Sequence, residues 1–298
     1  MVDLDGGLPD PGDRLPEHRA SLPFVVVGVV RGVVPDRWLA LCDVVVDEGD
    51  DALGRIAENL DGHPVTAVTL ALLLRGQEHR SIGEGLVAES AAYSVLQSGP
   101  EFAAWRAAHP ARTERDDGPR VRVDRDGGVL SITLTRPARR NALDAVMRDE
   151  LADALTLAAA DPDLTRVELR GEGAAFCAGG DLDEFGTRAD PATAHVIRLE
   201  RSLGRMLARL ATPTVTRLHG ACMGSGIELA AFTNVVVAAP DTQIALPEIG
   251  LGLVPGAGGT MSLPRRIGRL RTAWLAFSGC TIDATTAYAW GLVDELAP

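Results

Sequence analysis

The sequence predicts an α/β protein whose strands are largely parallel and are separated by helices. Three observations predict this class. Short runs dense in Val recur along the chain, longer stretches carry apolar residues at helical spacing, and Gly- or Pro-rich turns lie between them. With 298 residues, of which 46% are hydrophobic, the chain is long enough to bury a substantial core.

The first part of the chain, residues 22–110, predicts an α/β region that is mostly helical. The runs FVVVGVV at 24–30 and LCDVVVD at 41–47 predict strands because they are short and Val-rich. Residues 51–108 predict helices rich in Ala and Leu. The acidic segment 1–21, rich in Pro and Gly, predicts a flexible tail.

A change of composition at 111–118 predicts a linker, after which residues 119–298 predict a second region. Its first feature is a hairpin, because RDGG separates RVRVD from VLSITLT, where Leu130, Ile132 and Leu134 share one face. Strands and helices then alternate: TRVELRG, TVTRLHG and VVVAA are the strands, and helices start near Asp144, residue 192, Gly226 and Gly258, the last continuing to the chain end.

Composition excludes several classes of function. The formal net charge of −12 argues against binding nucleic acid or an anionic membrane. All 29 basic residues are Arg, so lysine Schiff-base chemistry is excluded. The four Cys are far apart, which predicts a reduced, cytosolic chain without a zinc site or disulfide framework. Neither a signal peptide nor a membrane-spanning run is expected.

Two loops of small residues follow predicted strands. In GEGAAFCAGGDLDEF, Ala178 and Gly180 flank Gly179 and leave backbone amides uncovered by side chains. Gly224 and Ser225 form a second such turn just before a helix. Two loops of this kind side by side can aim two N–H donors at one oxygen, which is an oxyanion hole. A steric need for Gly in tight turns is the alternative explanation.

Two carboxylates favour the functional explanation. Glu228 lies in the first turns of the helix that follows the second loop, and Glu248 lies in an otherwise apolar stretch after another strand. An ionised carboxylate in apolar surroundings is costly unless it is paired or functional. Two of them beside an oxyanion hole can divide the roles of acid and base.

These motifs together resemble the enoyl-CoA hydratase/isomerase (crotonase) family. The segments are FCAGGDL, HGACMGSGIEL and LPEIGLGLVPGAGGTMSLPRRIG in that order, with RPARRNALD upstream, and the resemblance covers residues 119–298. It implies a ββα superhelix that binds an acyl-CoA substrate. It also implies no metal or redox cofactor, and a homo-oligomer built as a trimer or a dimer of trimers.

The resemblance also implies a role for each matching residue. The thioester oxygen would accept hydrogen bonds from the amides of Ala178 and Ser225. Glu228 would help water to attack the β-carbon, and Glu248 would exchange the proton at the α-carbon. The positions that would bind the CoA part are Arg140, Ala142, Gly180, Asp181, Leu182 and Gly224.

The helices of residues 51–108 resemble the C-terminal helices of the same family, less specifically than the core motifs do. The hypothesis is that residues 22–110 are a degenerate crotonase-like half that supplies a lid and oligomer contacts; an unrelated capping domain is the alternative. Because the chain has no Lys, phosphate contacts would fall to Arg, with Arg75, Arg80 and Arg140 as candidates.

Several functions stay open at this point. Hydration of a 2-enoyl-CoA is favoured because both Glu residues are present. The alternatives within the fold are isomerisation, hydrolysis, decarboxylation or oxygenation of an acyl-CoA. A non-catalytic acyl-CoA-binding subunit is a further alternative, and so is a peptidase that uses Ser225, with His219 six residues upstream.

Overall fold

A computed structural model describes residues 2–3, 21–32, 34, 36–112, 118–187 and 190–297. The predicted tail at 1–21 lies outside the described residues apart from 2–3 and 21. The predicted linker at 111–118 is described only at 111–112 and 118.

Strands and helices alternate through the described chain. The strands are β1 Val2–Asp3, β2 Val27–Val30, β3 Val44–Asp47, β4 Val121–Asp126, β5 Val129–Leu134, β6 Arg166–Gly171, β7 Thr214–Leu218, β8 Ala221–Met223, β9 Val235–Ala238, β10 Gln243–Ala245, β11 Ile282–Asp283 and β12 Glu295–Leu296. The α-helices are α1 Asp36–Leu39, α2 Ala52–Gly62, α3 Pro64–Gly76, α4 Ile82–Gln97, α5 Pro100–Ala108, α6 Ala145–Ala160, α7 Pro191–Glu200, α8 Leu203–Arg209, α9 Ser225–Ala230, α10 Gly259–Ser278 and α11 Ala284–Trp290. Short 3₁₀ helices lie at Gln77–His79, Pro137–Arg139 and Glu248–Leu251.

The largest sheet has six strands in the order β12-β9-β7-β6-β5-β4. The predicted hairpin is confirmed as the antiparallel pair β4–β5, with Ile132 opposite Val123. The other pairs in this sheet are parallel, as the alternation of strands and helices predicts. A second sheet has the order β11-β10-β8, and β1-β2-β3 form a parallel sheet in the N-terminal region.

Two helix predictions were wrong in extent. The helix expected near residues 192–211 is interrupted between α7 and α8, where Ser202 accepts a hydrogen bond from the Arg205 amide and caps the second helix. The helix expected from Gly258 to the end stops at Ser278, because Gly279 adopts the left-handed conformation (φ 61°). The rest of the segment adds β11 and β12 to edges of two sheets, a choice that depends on distant partners.

The N-terminal helices share one hydrophobic core with the second region. Ile56 and Leu74 belong to the same buried cluster as Leu263 and Phe277. Asn59 Nδ2 also donates to the Phe277 carbonyl oxygen at 2.9 Å. The helices of residues 51–108 therefore pack on the second region within the same chain. None of the described helices combines the length and apolar character that crossing a membrane requires.

Candidate active site

A cavity of about 400 Å³ lies between the N-terminal helices and the second region. It is lined by residues of α4, the start of α6, the loop 180–187, α7, the start of α8, α9, Glu248 and the loop 256–258. Both predicted glutamates and both small-residue loops reach this cavity. The N-terminal region therefore forms one wall of it.

The first small-residue loop presents a different amide from the one expected. The Ala178 amide donates to the Arg140 carbonyl oxygen at 2.9 Å, and Ala178 is not among the residues that line the cavity. The Leu143 amide donates to the Gly179 carbonyl oxygen at 2.8 Å, and the Leu143 carbonyl oxygen accepts from the Asp181 amide at 2.9 Å. Gly180 lies between these two bonds, lines the cavity, and its own N–H has no acceptor in the described part of the chain. The cause is Gly179, whose φ of 99° turns the backbone between Ala178 and Gly180.

The second loop brings Ser225 to the cavity as the first residue of α9. The Ser225 N–H has no acceptor among the described residues, as expected for the first amide of a helix. Gly224 has φ 47°, and a Cβ there would lie 2.3 Å from Glu248 Oε1, so this position needs Gly.

The Ser225 hydroxyl is buried and has no hydrogen-bond partner among the described residues. His219 instead lies with its Nε2 atom 3.1 Å from the Gly173 carbonyl oxygen. The hydroxyl therefore lacks the adjacent base that a serine nucleophile uses. This arrangement gives no support to the peptidase alternative.

Glu228 is held by the loop that precedes α10. Its Oε2 atom accepts hydrogen bonds from the Ala257 and Gly259 amides, each at 2.8 Å. The side chain is 2% exposed. Burial raises the pKa of Glu228 to about 7, and the hydrogen bonds from Gly259 and Ala257 oppose that rise because they favour the charged form.

Glu248 starts the 3₁₀ helix that follows β10, and it has fewer hydrogen bonds than Glu228. Its Oε2 atom is buried and has no hydrogen-bond partner among the described residues. Burial raises the pKa of Glu248 well above its ordinary value of 4.5, and the charge of Glu228 raises it further. Of the two carboxyls, Glu248 is therefore the better placed to hold a proton at neutral pH.

A third buried carboxyl, Glu89 of α4, is not among the site residues predicted from the sequence. Its Oε1 accepts from the Gly258 amide at 2.7 Å, and its Oε2 accepts from the Thr260 amide at 2.9 Å and hydroxyl at 2.6 Å. Burial, and next the charge of Glu228, raise the pKa of Glu89 to about 8. Glu89 thus holds the loop whose neighbouring amides hold Glu228.

A signal for Glu89 was present in the helical spacing. Gly85, Glu89 and Tyr93 follow one another at intervals of four and share the buried face of α4. An acidic residue on an otherwise buried helix face indicates a partner inside the protein. The identity of that partner, the loop of residues 258–260, could not be read from the helix.

Comparison with known proteins agrees with the geometry. The family model described as enoyl-CoA hydratase/isomerase matches residues 124–298. A protein of Mycobacterium bovis described as a probable enoyl-CoA hydratase is 38% identical over 180 residues, which are 60% of this chain and 68% of the relative. The chain belongs to the enoyl-CoA hydratase/isomerase family.

Other members of the enoyl-CoA hydratase/isomerase family are similar to the same part of the chain. The 1,2-epoxyphenylacetyl-CoA isomerase of Escherichia coli is 36% identical over 174 residues, covering 57% of this chain and 66% of the relative. The crystal structure of an enoyl-CoA hydratase from Thermoplasma volcanium has a TM-score of 0.57 and 35% identity, covering 60% of this chain and 72% of that one. The second region therefore has the crotonase fold.

The residues expected to bind the CoA part in this family lie in two groups. Gly180 and Asp181 line the cavity, and the Asp181 carboxylate pairs with Arg136 at 2.6 Å. Arg140, Ala142, Leu182 and Gly224 do not line it. The positions that reach the cavity are thus Gly180, whose amide has no acceptor among the described residues, and the residue that follows it.

The segment RPARRNALD is shaped by Asn141, which has φ 54°. Its Nδ2 donates to the carbonyl oxygens of Glu172 at 2.9 Å and Ala175 at 2.8 Å, and its Oδ1 accepts from the Arg136 amide at 2.8 Å. These bonds join the segment to the first small-residue loop, and they hold Arg140 in an exposed position at its tip.

The candidate phosphate ligands Arg75 and Arg80 do not line the cavity. Arg75 forms a buried ion pair with Asp43 at 2.7 Å, with side-chain exposures of 5% and 2%. It also donates to the carbonyl oxygens of Leu22 and Phe24. Arg75 therefore stabilises the N-terminal region, and its guanidinium is engaged there.

Proposed function

We propose that the protein adds water across the double bond of a 2-enoyl-CoA. The observation that carries this proposal is the pair of buried carboxyls with unlike surroundings, Glu228 and Glu248, beside two amides that have no acceptor among the described residues. Two carboxyls whose surroundings give them different proton affinities can act as base and acid in one reaction.

In the proposed reaction Glu228 is the base. Its two hydrogen-bond donors favour the carboxylate, which takes a proton from water as the water oxygen bonds to the β-carbon. The electron pair of the double bond moves onto the α-carbon and thioester oxygen, giving an enolate-like transition state. Glu248, which holds its proton more tightly, gives that proton to the α-carbon. A second proton exchange with solvent resets the pair.

The amides of Gly180 and Ser225 are the proposed donors to the thioester oxygen. Both residues line the cavity, and neither N–H has an acceptor among the described residues. The Gly180 amide replaces that of Ala178 in this assignment, because the Ala178 amide already donates its hydrogen bond to the Arg140 carbonyl oxygen. Losing one such donor costs about 100- to 1,000-fold in rate.

Isomerisation is the second candidate, because the family includes isomerases. Moving a double bond between carbons needs one group that takes a proton and returns it, and the ionised form of Glu248 suffices for that. A Glu228→Gln variant that kept full activity would therefore favour isomerisation over hydration.

The test is turnover of crotonyl-CoA and of longer and aromatic 2-enoyl-CoAs, followed by loss of the conjugated-thioester absorbance. Wild type, Glu228→Gln and Glu248→Gln are measured side by side, with Glu58→Gln on the exposed face of α2 as control. Hydration predicts that both active-site variants lose activity and the control keeps it. Binding of acyl-CoA without turnover of any substrate would contradict the proposal and favour a binding subunit.

Other expectations from the sequence stay predictions. They are the cytosolic location, the trimer or dimer of trimers, and a reaction without metal or redox cofactor. No group of three His, Cys, Asp or Glu side chains within the described ranges is arranged to hold a metal ion.

A further inference from the structure

Arg198 of α7 lines the active-site cavity and is held in place by α4. Its Nε donates to Ser90 Oγ at 3.0 Å, and its Nη2 donates to the Ser90 carbonyl oxygen at 3.1 Å and to Ser94 Oγ. The guanidinium carbon lies 4.9 Å from the centre of the Tyr93 ring. The cation therefore has a defined position rather than a solvated one.

Arg198 differs from the other arginines of the cavity in its counter-charge. Arg148 pairs with Asp149 at 2.9 Å, and Arg201 pairs with Asp153 at 3.0 Å. Arg198 forms no ion pair with any described carboxylate, and its Nη1 makes no hydrogen bond to a described residue. Burial lowers the pKa of Arg198, and the charges of Tyr93 and Glu89 oppose that fall although neither residue forms an ion pair with it.

Tyr93 connects Arg198 with the reaction centre. Its side chain is 8% exposed, and its hydroxyl makes no hydrogen bond to a described residue. Burial raises the pKa of Tyr93; the charge of Arg198 opposes the rise, and the charges of Glu248 and Glu228 add to it. Tyr93 lines the same cavity as Arg198 and the two carboxyls Glu228 and Glu248.

The wall that carries Arg198 differs from the loops expected to hold CoA. By family resemblance the CoA part lies along 136–144 and 180–182, whereas Arg198 belongs to the wall formed by α4 and α7. That wall is left for the acyl group. A cation in an acyl pocket that forms no ion pair with a described carboxylate favours an acyl chain that ends in an anion.

We infer that Arg198 binds a carboxylate at the far end of the acyl chain, so that the substrate is the CoA thioester of a dicarboxylic enoyl acid. This inference rests on the proposed function. The N–H groups of Nη1 can donate to a carboxylate oxygen, and the Tyr93 hydroxyl offers another donor. The partly buried setting strengthens this attraction relative to water.

The experiment measures binding of saturated CoA thioesters by isothermal titration calorimetry. Butanoyl-, hexanoyl- and octanoyl-CoA are compared with succinyl-, adipyl- and suberyl-CoA, which replace the terminal methyl with a carboxylate. The proteins are wild type, Arg198→Met, Arg198→Lys and the control Arg201→Met, each checked for folding by its thermal unfolding curve. Free CoA and 3′-dephospho-CoA are titrated as well.

Wild type is expected to prefer the carboxylate-ended thioester at one chain length or more. In Arg198→Met the Kd of that thioester should rise by about 10- to 100-fold, with little change for its methyl-ended partner. Arg198→Lys should lose less affinity for the carboxylate-ended thioester than Arg198→Met. Arg201→Met should keep the preference for the carboxylate-ended thioester.

Two outcomes would overturn the inference alone. One is wild type binding both members of every pair equally. The other is Arg198→Met weakening both members and free CoA alike, which would assign Arg198 to a CoA phosphate, the other anion available. Failure of wild type to bind any CoA thioester would instead overturn the proposed function and the inference with it.

Discussion

Replacing Glu89 with Gln should make the protein less stable at low pH and more stable at high pH. Burial and the charge of Glu228 raise the pKa of Glu89 from 4.5 to about 8. When the pKa of a carboxyl is higher in the folded state than in the unfolded state, the carboxyl contributes fully to the stability of the fold below its unfolded pKa. That contribution is lost as the pH rises from the unfolded pKa through the folded pKa. At 1.36 kcal/mol per pKa unit, the contribution lost by about pH 9 is ~5 kcal/mol.

Glutamine does not titrate, but its amide nitrogen cannot accept the hydrogen bond that Gly258 or Thr260 donates to Glu89. That loss costs ~1–3 kcal/mol at any pH. Glu89→Gln should therefore be up to ~2 kcal/mol less stable than wild type at pH 5 and ~2–4 kcal/mol more stable at pH 9.

The measurement is urea unfolding followed by tryptophan fluorescence at several values of pH from 5 to 9. Glu58→Gln, on the exposed face of α2, is the control for removing a negative charge. A difference between wild type and Glu89→Gln that stays constant across this range would refute the reasoning. It would mean that the bonds from the loop hold Glu89 ionised in spite of its burial.

Three further predictions concern catalysis and stability. The hydration kcat/KM of wild type should rise with pH up to about 7, where Glu228 becomes ionised. Glu228→Gln should lower kcat by about 100- to 10,000-fold, and an unchanged kcat would show that Glu228 is not the base. Ser225→Pro removes the amide and should lower kcat by about 100- to 1,000-fold, with little loss of stability because Pro suits the first residue of a helix. Ser225→Ala keeps the amide and should keep the activity. Equal rates in the two variants would argue against an oxyanion role. Arg75→Met should destabilise the protein by ~3–5 kcal/mol in chemical unfolding, because it removes the guanidinium that pairs with the buried Asp43 carboxylate. The folded variant should keep its affinity for CoA; a loss of affinity alone would restore Arg75 as a phosphate ligand.

The motifs of the second region were sufficient to predict its fold and to single out two carboxyls, Glu228 and Glu248, that line the cavity. Small residues after strands, followed by Glu228 and Glu248 in apolar surroundings, are local patterns that a sequence displays directly. The hairpin β4–β5 and the strands β2 and β3 were predictable for the same reason, because alternation and Val-rich runs depend on neighbours in the chain. The donor amide of the first loop was less accessible, since it depends on how Gly179 turns the backbone.

The sequence by itself determined the family and the two candidate carboxyls, Glu228 and Glu248, because motif spacing is a property of the chain. Only the tertiary structure decided what surrounds them. It brought α4 onto the loop of residues 256–260, so that Glu89 faces the amides beside those that hold Glu228. It also set Arg198 over Tyr93 without a carboxylate partner among the described residues. These are contacts between elements about 100 residues apart or more, and burial, which sets the proton affinities of the site, exists only once such elements pack.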